Sequence, residues 1–355
     1  MQEKMRVAYI SFYAKSFDHE YDSCRENGGV RYVELKKKAK SNGITFEKYR
    51  TKFHSEYDVL MIWDIPRITD LIPILINNIC IKRIPILLIL EETPCGRNRF
   101  MMNIPCLFSM VCVNTIESNF KYRFYKTRCF VQPGIPNKED IINCKSEILA
   151  GNRVKSICYI GAGKTSVNPL STYKLRRNIV EILSNAKISF SLFGEGWGRR
   201  TVPMDLFGAA LISRVKPIKK IIEWIININH QKIISNGRIK SKKDTMKNYN
   251  FALAIEPYIG RPYIILEKIF DPMLIGCIPI YYGPSEYSSI PDNIFIKIKK
   301  ETNINKLTNY LNSFSEEELS KYRNDIYNYL ISELADEYRY DKFTKCLIES
   351  LYELY

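Results

Sequence analysis

The chain is poor in histidine and tryptophan, and it has no long uninterrupted apolar run. Its three histidines, His19, His54 and His230, lie far apart and share no metal-ligand spacing. A zinc enzyme or a Cys/His protease is therefore not expected, and no metal site is assigned. Of the ten cysteines, no two fall in a CxxC spacing. Most sit in apolar surroundings, as Cys80, Cys112 and Cys277 do, and read as buried, reduced, structural thiols. The opening MQEKMRVAYISF lacks the apolar stretch of a signal peptide. The most apolar window, residues 72–90, is broken by Asn77, Asn78, Lys82, Arg83 and Pro85, so it spans a bilayer only at high cost. These absences favour a cytoplasmic protein, with room for peripheral contact at the inner face of a membrane.

Positive charge is what the chain has in excess. It carries 53 Lys and Arg against 38 Asp and Glu, a formal +15, which predicts an anionic partner. Nucleic acid, an acidic membrane and a phosphorylated small molecule all satisfy that condition. The basic clusters (Lys36 to Lys38, Arg199 and Arg200, Lys219 and Lys220, Arg238 to Lys243, Lys297 to Lys300) are scattered. None has the interleaved aromatics of an RNA-binding module, and no helix-turn-helix or zinc-finger signature is present, so they read as solvated faces.

At 355 residues, two domains are expected. Strand-like and helix-like stretches alternate in both halves. Strands are expected at 6–12, 44–49, 57–63, 86–90, 109–113 and 129–132, with helices at 30–42 and 70–82. Polarity rises at 145–154, and the alternation then resumes. Strands are expected from 156, and at 188–193, 250–255, 278–282 and 294–298, with helices at 172–185, 218–229 and 263–275. Near-continuous apolar strands such as YDVLMIW and ILLIL suit the interior of a parallel sheet. The pattern predicts an α/β protein: two Rossmann-like domains, 1–150 and 151–355, facing across a cleft, with helices over the last fifty or so residues.

Gly161-Ala162-Gly163-Lys164-Thr165 follows a strand, but it is no Walker A loop. Cys158 stands where the first glycine is required, and Pro169 delays the helix. A glycine loop that lets a phosphate or sugar approach the backbone stays open. The richest stretch is 249–283. A buried strand there delivers Glu256 at its C-terminal end, where α/β sheets bind ligands. A loop with Gly260 and Pro262 leads to an expected helix with Glu267 and Lys268 in its first turns, a position that suits an anion.

That stretch resembles the donor-binding motif of the alpha-1,3/1,4-fucosyltransferases, glycosyltransferase family 10. The family reads F-x-L-x-F-E-N, then Y-V-T-E-K-x-x-D-A, then G-x-x-P-V-Y-x-G. Phe251, Leu253, Glu256, Glu267, Lys268, Asp271, Gly276, Pro279, Tyr281 and Gly283 match at the same spacing. Arg176, followed seven residues later by Leu183, is similar to the family's R-x-x-x-x-x-x-L helix, and ILLILEETP is similar to its strand ending in E-S-P. Three departures stand out: Pro257 replaces the family Asn, Leu266 its Thr, and Ile264 its Tyr, with Tyr263 one position early.

The resemblance implies a GT-B fold, with acceptor binding in the first domain and donor binding in the second. It implies transfer of fucose from GDP-fucose, with inversion, to a hydroxyl of a glycan such as a lipopolysaccharide O-antigen, with O3 of GlcNAc or Glc the expected position. Arg176 (or its neighbour Arg177) and Lys268 would neutralise the diphosphate, and Glu267 would face ribose or fucose hydroxyls. Glu256 and Tyr263 would complete the donor site, and Glu92 would be the general base. No cofactor is required on this resemblance, a divalent metal being at most stimulatory, and nucleic acid drops out as the favoured partner. The remaining positive charge is free to meet an anionic membrane.

Overall fold

The computed structural model describes residues 4–11, 26–49, 56–65, 68–91, 101–186, 188–203, 205, 212, 215–228 and 233–355. Glu92 and Thr93, expected at the acceptor side, lie outside the described residues. So do the cysteines Cys24 and Cys95.

The first half forms β1 (Met5–Ser11), α1 (Glu26–Ser41), β2 (Ile44–Lys48), β3 (Val59–Trp63), α2 (Ile68–Leu75), β4 (Ile86–Leu90), β5 (Met110–Asn114) and β6 (Lys126–Phe130). The strands make one parallel sheet in the order β2-β1-β3-β4-β5-β6. Every residue of β3, β4 and β5 is buried, which is why their sequences lack polar alternation. The expected helix at 70–82 is α for its first part only, and from Ile76 to Lys82 it relaxes into π-type turns. Helix α1 ends where Gly43 takes a φ of 73°, a backbone angle that glycine adopts without a Cβ penalty.

The second half forms α3 (Lys138–Asn143), α4 (Lys145–Leu149), β7 (Val154–Ile160), α5 (Tyr173–Ser184), β8 (Phe190–Phe193), α6 (Lys216–Asn227), α7 (Lys242–Met246), β9 (Tyr249–Ile255), α8 (Phe270–Met273), β10 (Ile278–Tyr282) and β11 (Ile296–Lys297). Three helices close the chain: α9 (Ile304–Ser313), α10 (Glu316–Ile331) and α11 (Tyr340–Leu354). The sheet is again parallel, in the order β11-β10-β9-β7-β8. Helix α10 starts at a capping box in which Ser315 and Glu318 satisfy each other's backbone N–H groups.

The expected helix at 263–275 is mostly absent, since only Phe270–Met273 is helical. A proline deep in a helix removes an N–H and clashes with the carbonyl four residues back, and Pro272 stands nine residues after Tyr263. Burial adds a second reason. Ile264, Ile265, Leu266, Ile269, Phe270 and Met273 are all buried, so the segment has no solvent face for a surface helix to present. Gly276 ends it as expected, with φ at 69°, and a Cβ there would meet the Ile148 carbonyl oxygen at 1.8 Å.

The two halves are tied together at both ends. Helices α3 and α4 precede residue 150 in the chain yet pack on α10 of the second half. Helix α11 instead returns to the first sheet. Its Phe343, Leu347, Ile348 and Leu351 share one core with Trp63, Met110 and Phe130. Burying those four side chains stabilises the return by roughly 6–12 kcal/mol. The two crossings run side by side: Gly134 and Ile135 both donate backbone N–H groups to the Tyr338 carbonyl, at 3.0 and 3.1 Å.

Cys106, Cys112, Cys129, Cys144, Cys158, Cys277 and Cys346 are free. Cys112, Cys158 and Cys277 are buried, as expected, whereas Cys106 is exposed. Among the described residues no helix is long and apolar enough to cross a membrane.

Candidate active site

In the second sheet the strand order reverses between β7 and β9, which lie side by side although far apart in the chain. Helices leave the carboxyl ends of two such strands in opposite directions and open a crevice there. A cavity of about 330 Å³ occupies that place. Tyr159 and Gly161 from the end of β7, Pro257 beyond β9, Arg176 from α5, and Glu267 and Lys268 all line it.

The sequence-expected residues separate into three groups. Arg176, Glu267 and Lys268 converge on the cavity. The Arg176 side chain is buried, donates from Nη2 to the Ile255 carbonyl at 2.9 Å, and lies 4.8 Å from the Tyr173 ring centroid. That hydrogen bond and the ring fix the guanidinium at one wall. The alternative, Arg177, turns away. It donates to the carbonyls of Gly163, Gly196 and Trp197 and so clasps two loops together.

Glu267 and Lys268 form an ion pair at 3.5 Å, and both side chains are partly exposed to the cavity. Burial pushes the Glu267 carboxyl up, but Lys268, Lys242 and Arg31 outweigh it and hold the group down at about 2. The Lys268 ammonium is disfavoured by burial, yet the Glu267 charge raises its pKa overall. Glu267 is therefore an anion and Lys268 a cation across the working pH range. With the helix confined to Phe270–Met273, Lys268 supplies its charge from the turn that precedes it.

Glu256 sits behind the cavity wall and is fully buried. Its Oε1 accepts from the Leu266 N–H and the Tyr281 hydroxyl, both at 3.1 Å, while Oε2 has no hydrogen-bond partner. Burial raises its pKa to about 7, opposed by Lys268 and by those hydrogen bonds. Expected at the donor itself, Glu256 instead holds the 264–266 segment from behind. Tyr263 is not among the lining residues. Its carbonyl accepts from the Ile116 N–H and the Thr115 hydroxyl at 3.0 Å each, and its N–H donates to Glu117, so it ties the two halves together.

Several contributors were missed from sequence. Lys242 lines the cavity and pairs with Asp271 at 2.7 Å, although its cluster read as a solvated face. Gln132 reaches from the first half and donates to Glu267 at 3.2 Å. Also from the first half, Arg31 pairs with Glu91 at 2.8 Å, and its charge is felt by Glu267. Glu91 in turn accepts from Tyr32 and Trp63 through Oε1, at 3.0 and 2.7 Å. A carboxylate engaged on both oxygens, one of them by a guanidinium, is poorly placed to take a proton.

The glycine loop lines the cavity through Gly161, Ala162 and Lys164, and its glycines have a packing purpose as well. A Cβ on Gly163 would meet the Gly196 carbonyl oxygen at 2.4 Å, and one on Gly194 would meet that of Gly161 at 2.2 Å. These glycines let the loops after β7 and β8 pack backbone to backbone beneath the Arg177 clasp. Among the described residues, no group of three or more His, Cys, Asp and Glu side chains is arranged to hold a metal ion.

Residues 171–346 match the model of glycosyltransferase family 10 (fucosyltransferase), C-terminal part. No curated protein matches the chain by sequence. Two solved structures share its fold across 99% of its length. One is an alpha1,3-fucosyltransferase, 13% identical, with 89% of that chain covered and a TM-score of 0.51. The other is an alpha-glucosyltransferase in complex with UDP and a 13-mer DNA containing a HMU base, 12% identical, with 99% of that chain covered and a TM-score of 0.56. At such identities the likeness concerns the fold: two Rossmann-like sheets in the GT-B arrangement. Through residues 171–346, which carry Arg176, Glu256, Glu267 and Lys268, this chain belongs to glycosyltransferase family 10.

Proposed function

We propose that the protein is an inverting fucosyltransferase that takes fucose from GDP-fucose and delivers it to a hydroxyl of a glycan. The observation that carries this reading is the convergence of Arg176 and Lys268 on one cavity at the strand-order reversal, within residues that match the family model. When the bond to the sugar breaks, negative charge develops on the leaving diphosphate. Two fixed cations beside it stabilise that charge without reorganising. The role assigned to them needs no divalent ion, so a chelator is expected to leave transfer intact. Glu267, held anionic, serves as acceptor for ribose or fucose hydroxyls. Gln132 orients it from the first half.

Inversion requires a base on the face opposite the leaving group. We assign this to Glu92, which directly follows the Arg31-paired Glu91 in sequence. The acceptor hydroxyl we propose is O3 of GlcNAc or Glc, in a surface glycan such as a lipopolysaccharide O-antigen.

A second reading, a different nucleotide-sugar donor, draws on Pro257, which lines the cavity where the family has Asn. Calorimetric titration with GDP, GDP-fucose and GDP-mannose tests both. Failure to bind GDP refutes the proposal, and transfer from GDP-mannose but not GDP-fucose favours the second reading. A screen of lactose, N-acetyllactosamine and lacto-N-biose, with linkage analysis of the product, tests the acceptor.

A further inference from the structure

Helix α6 turns most of its large apolar side chains outward. On most surface helices the apolar stripe faces the core and the polar stripe faces water. Here the half-buried side mixes Ile222 and Ile226 with three polar residues, Lys219, Glu223 and Asn227, at i, i+4 and i+8. Asn227 exchanges hydrogen bonds with the backbone of Arg200, at 2.8 and 2.9 Å, and Lys219 lies 3.8 Å from Glu223. The outward side carries Ile218, Ile221, Trp224, Ile225 and Ile228, between 47% and 68% exposed, and no residue of the helix is buried. Lys220, four residues before Trp224, borders that apolar face, and Lys216 stands exposed in the first turn of the helix.

The charge along this part of the sequence is equally uneven. Between Arg199 and Lys243 the sequence holds eleven Lys and Arg against two acids, Asp205 and Glu223. More than half of the chain's formal +15 is therefore concentrated in 45 residues.

We propose that α6 is an interfacial helix that docks this protein on an anionic lipid bilayer, with Ile221, Trp224 and Ile225 inserted among the acyl chains and Lys216 and Lys220 at the headgroups. A helix lying in the interface needs this combination, an exposed apolar stripe bordered by lysines with tryptophan at its edge. A second copy of the chain fits poorly as the occupant. A two-fold contact would set the same basic surface against itself. Nucleic acid fits the charge, but its phosphates gain nothing from five exposed apolar side chains. Docking through α6 leaves the donor cavity untouched, because none of its residues lines it.

The test is sedimentation with vesicles of equal parts phosphatidylglycerol and phosphatidylcholine, compared with phosphatidylcholine alone, at low salt. The full chain is expected to bind the anionic vesicles and to release with rising salt. Its tryptophan emission is expected to shift to the blue, a signal that comes from Trp224 because Trp63 and Trp197 are already buried. Ile221→Ser with Ile225→Ser, and separately Lys216→Glu with Lys220→Glu, are each expected to weaken vesicle binding about tenfold or more. GDP affinity and melting temperature serve as controls for folding. Equal binding to both vesicle types overturns the proposal, as does wild-type vesicle binding by either variant. So does a chain that ignores vesicles and forms a dimer that the serine variant disperses. The readout is lipid binding, so the result stands whatever the sugar donor proves to be.

Discussion

Replacing Glu256 by Gln should make the protein more stable at neutral pH while leaving its structure unchanged. Glu256 is fully buried, accepts two hydrogen bonds at Oε1 and has no partner at Oε2. Burial lifts its pKa from the ordinary 4.5 to about 7. The folded state therefore holds the proton more tightly than the unfolded state does. Below pH 4.5 both states are protonated and the group is neutral to stability. Between about 4.5 and about 7 the unfolded chain ionises first, so stability falls as pH rises, and above 7 the full cost is present. The gap between those two values converts to about 3 kcal/mol. Glutamine keeps the Oε1 acceptor and cannot ionise, so it escapes this loss. Urea denaturation of both proteins from pH 4 to pH 8 reads the difference. The stability of the Glu256→Gln variant relative to the parent should rise across that window by about 3 kcal/mol. Parallel pH profiles for the two proteins would show that Glu256 does not titrate there and would refute the reasoning.

Other outcomes follow from the same geometry. Lys268→Ala and Arg176→Ala should each weaken GDP binding by roughly tenfold to a hundredfold, the usual worth of a charge-assisted contact, by calorimetry. Arg177→Ala should instead lower the melting temperature, because Arg177 holds three loop carbonyls and no cavity wall. Glu92→Gln should keep GDP-fucose affinity and lose on the order of a hundredfold or more in transfer rate. Near-normal turnover in that variant would move the base elsewhere. Gly276→Ala should destabilise the fold by more than about 1 kcal/mol in urea denaturation, since it combines a left-handed backbone with a clash against Ile148.

The sheets were legible because their strands are buried on both faces. VLMIW and ILLIL contain no residue that a surface element would tolerate so densely, and both appear where periodicity predicts. Helices were legible wherever one stripe meets a core, as in α5 and α10. The segment at 264–269 was not, because a chain threaded through the interior is apolar throughout and imitates a buried helix. The cavity residues on the motif were readable from spacing. Lys242 and Gln132 were not, since each enters through a tertiary approach that leaves no local pattern. Arg176 and Arg177 are indistinguishable as neighbours in sequence. The helical rotation of about 100° between them decides which one faces the cavity. The apolar stripe of α11 announced a helix, but nothing in it named the first sheet as its partner.

The paired crossings between the halves have a mechanical consequence. A single linker would let two bodies swivel in any direction. Here the stretch at Gly134 to Pro136 and the stretch at Tyr338 and Arg339 are stitched to each other, with the Arg339 guanidinium also donating to the Pro136 carbonyl at 2.8 Å. Two adjacent pins define one axis, so a relative rotation of the halves would be confined to it, and it would have to break the bonds of Tyr263 to Ile116, Thr115 and Glu117. The same rotation would stretch the hydrogen bond from Gln132 to Glu267, so that contact too resists it.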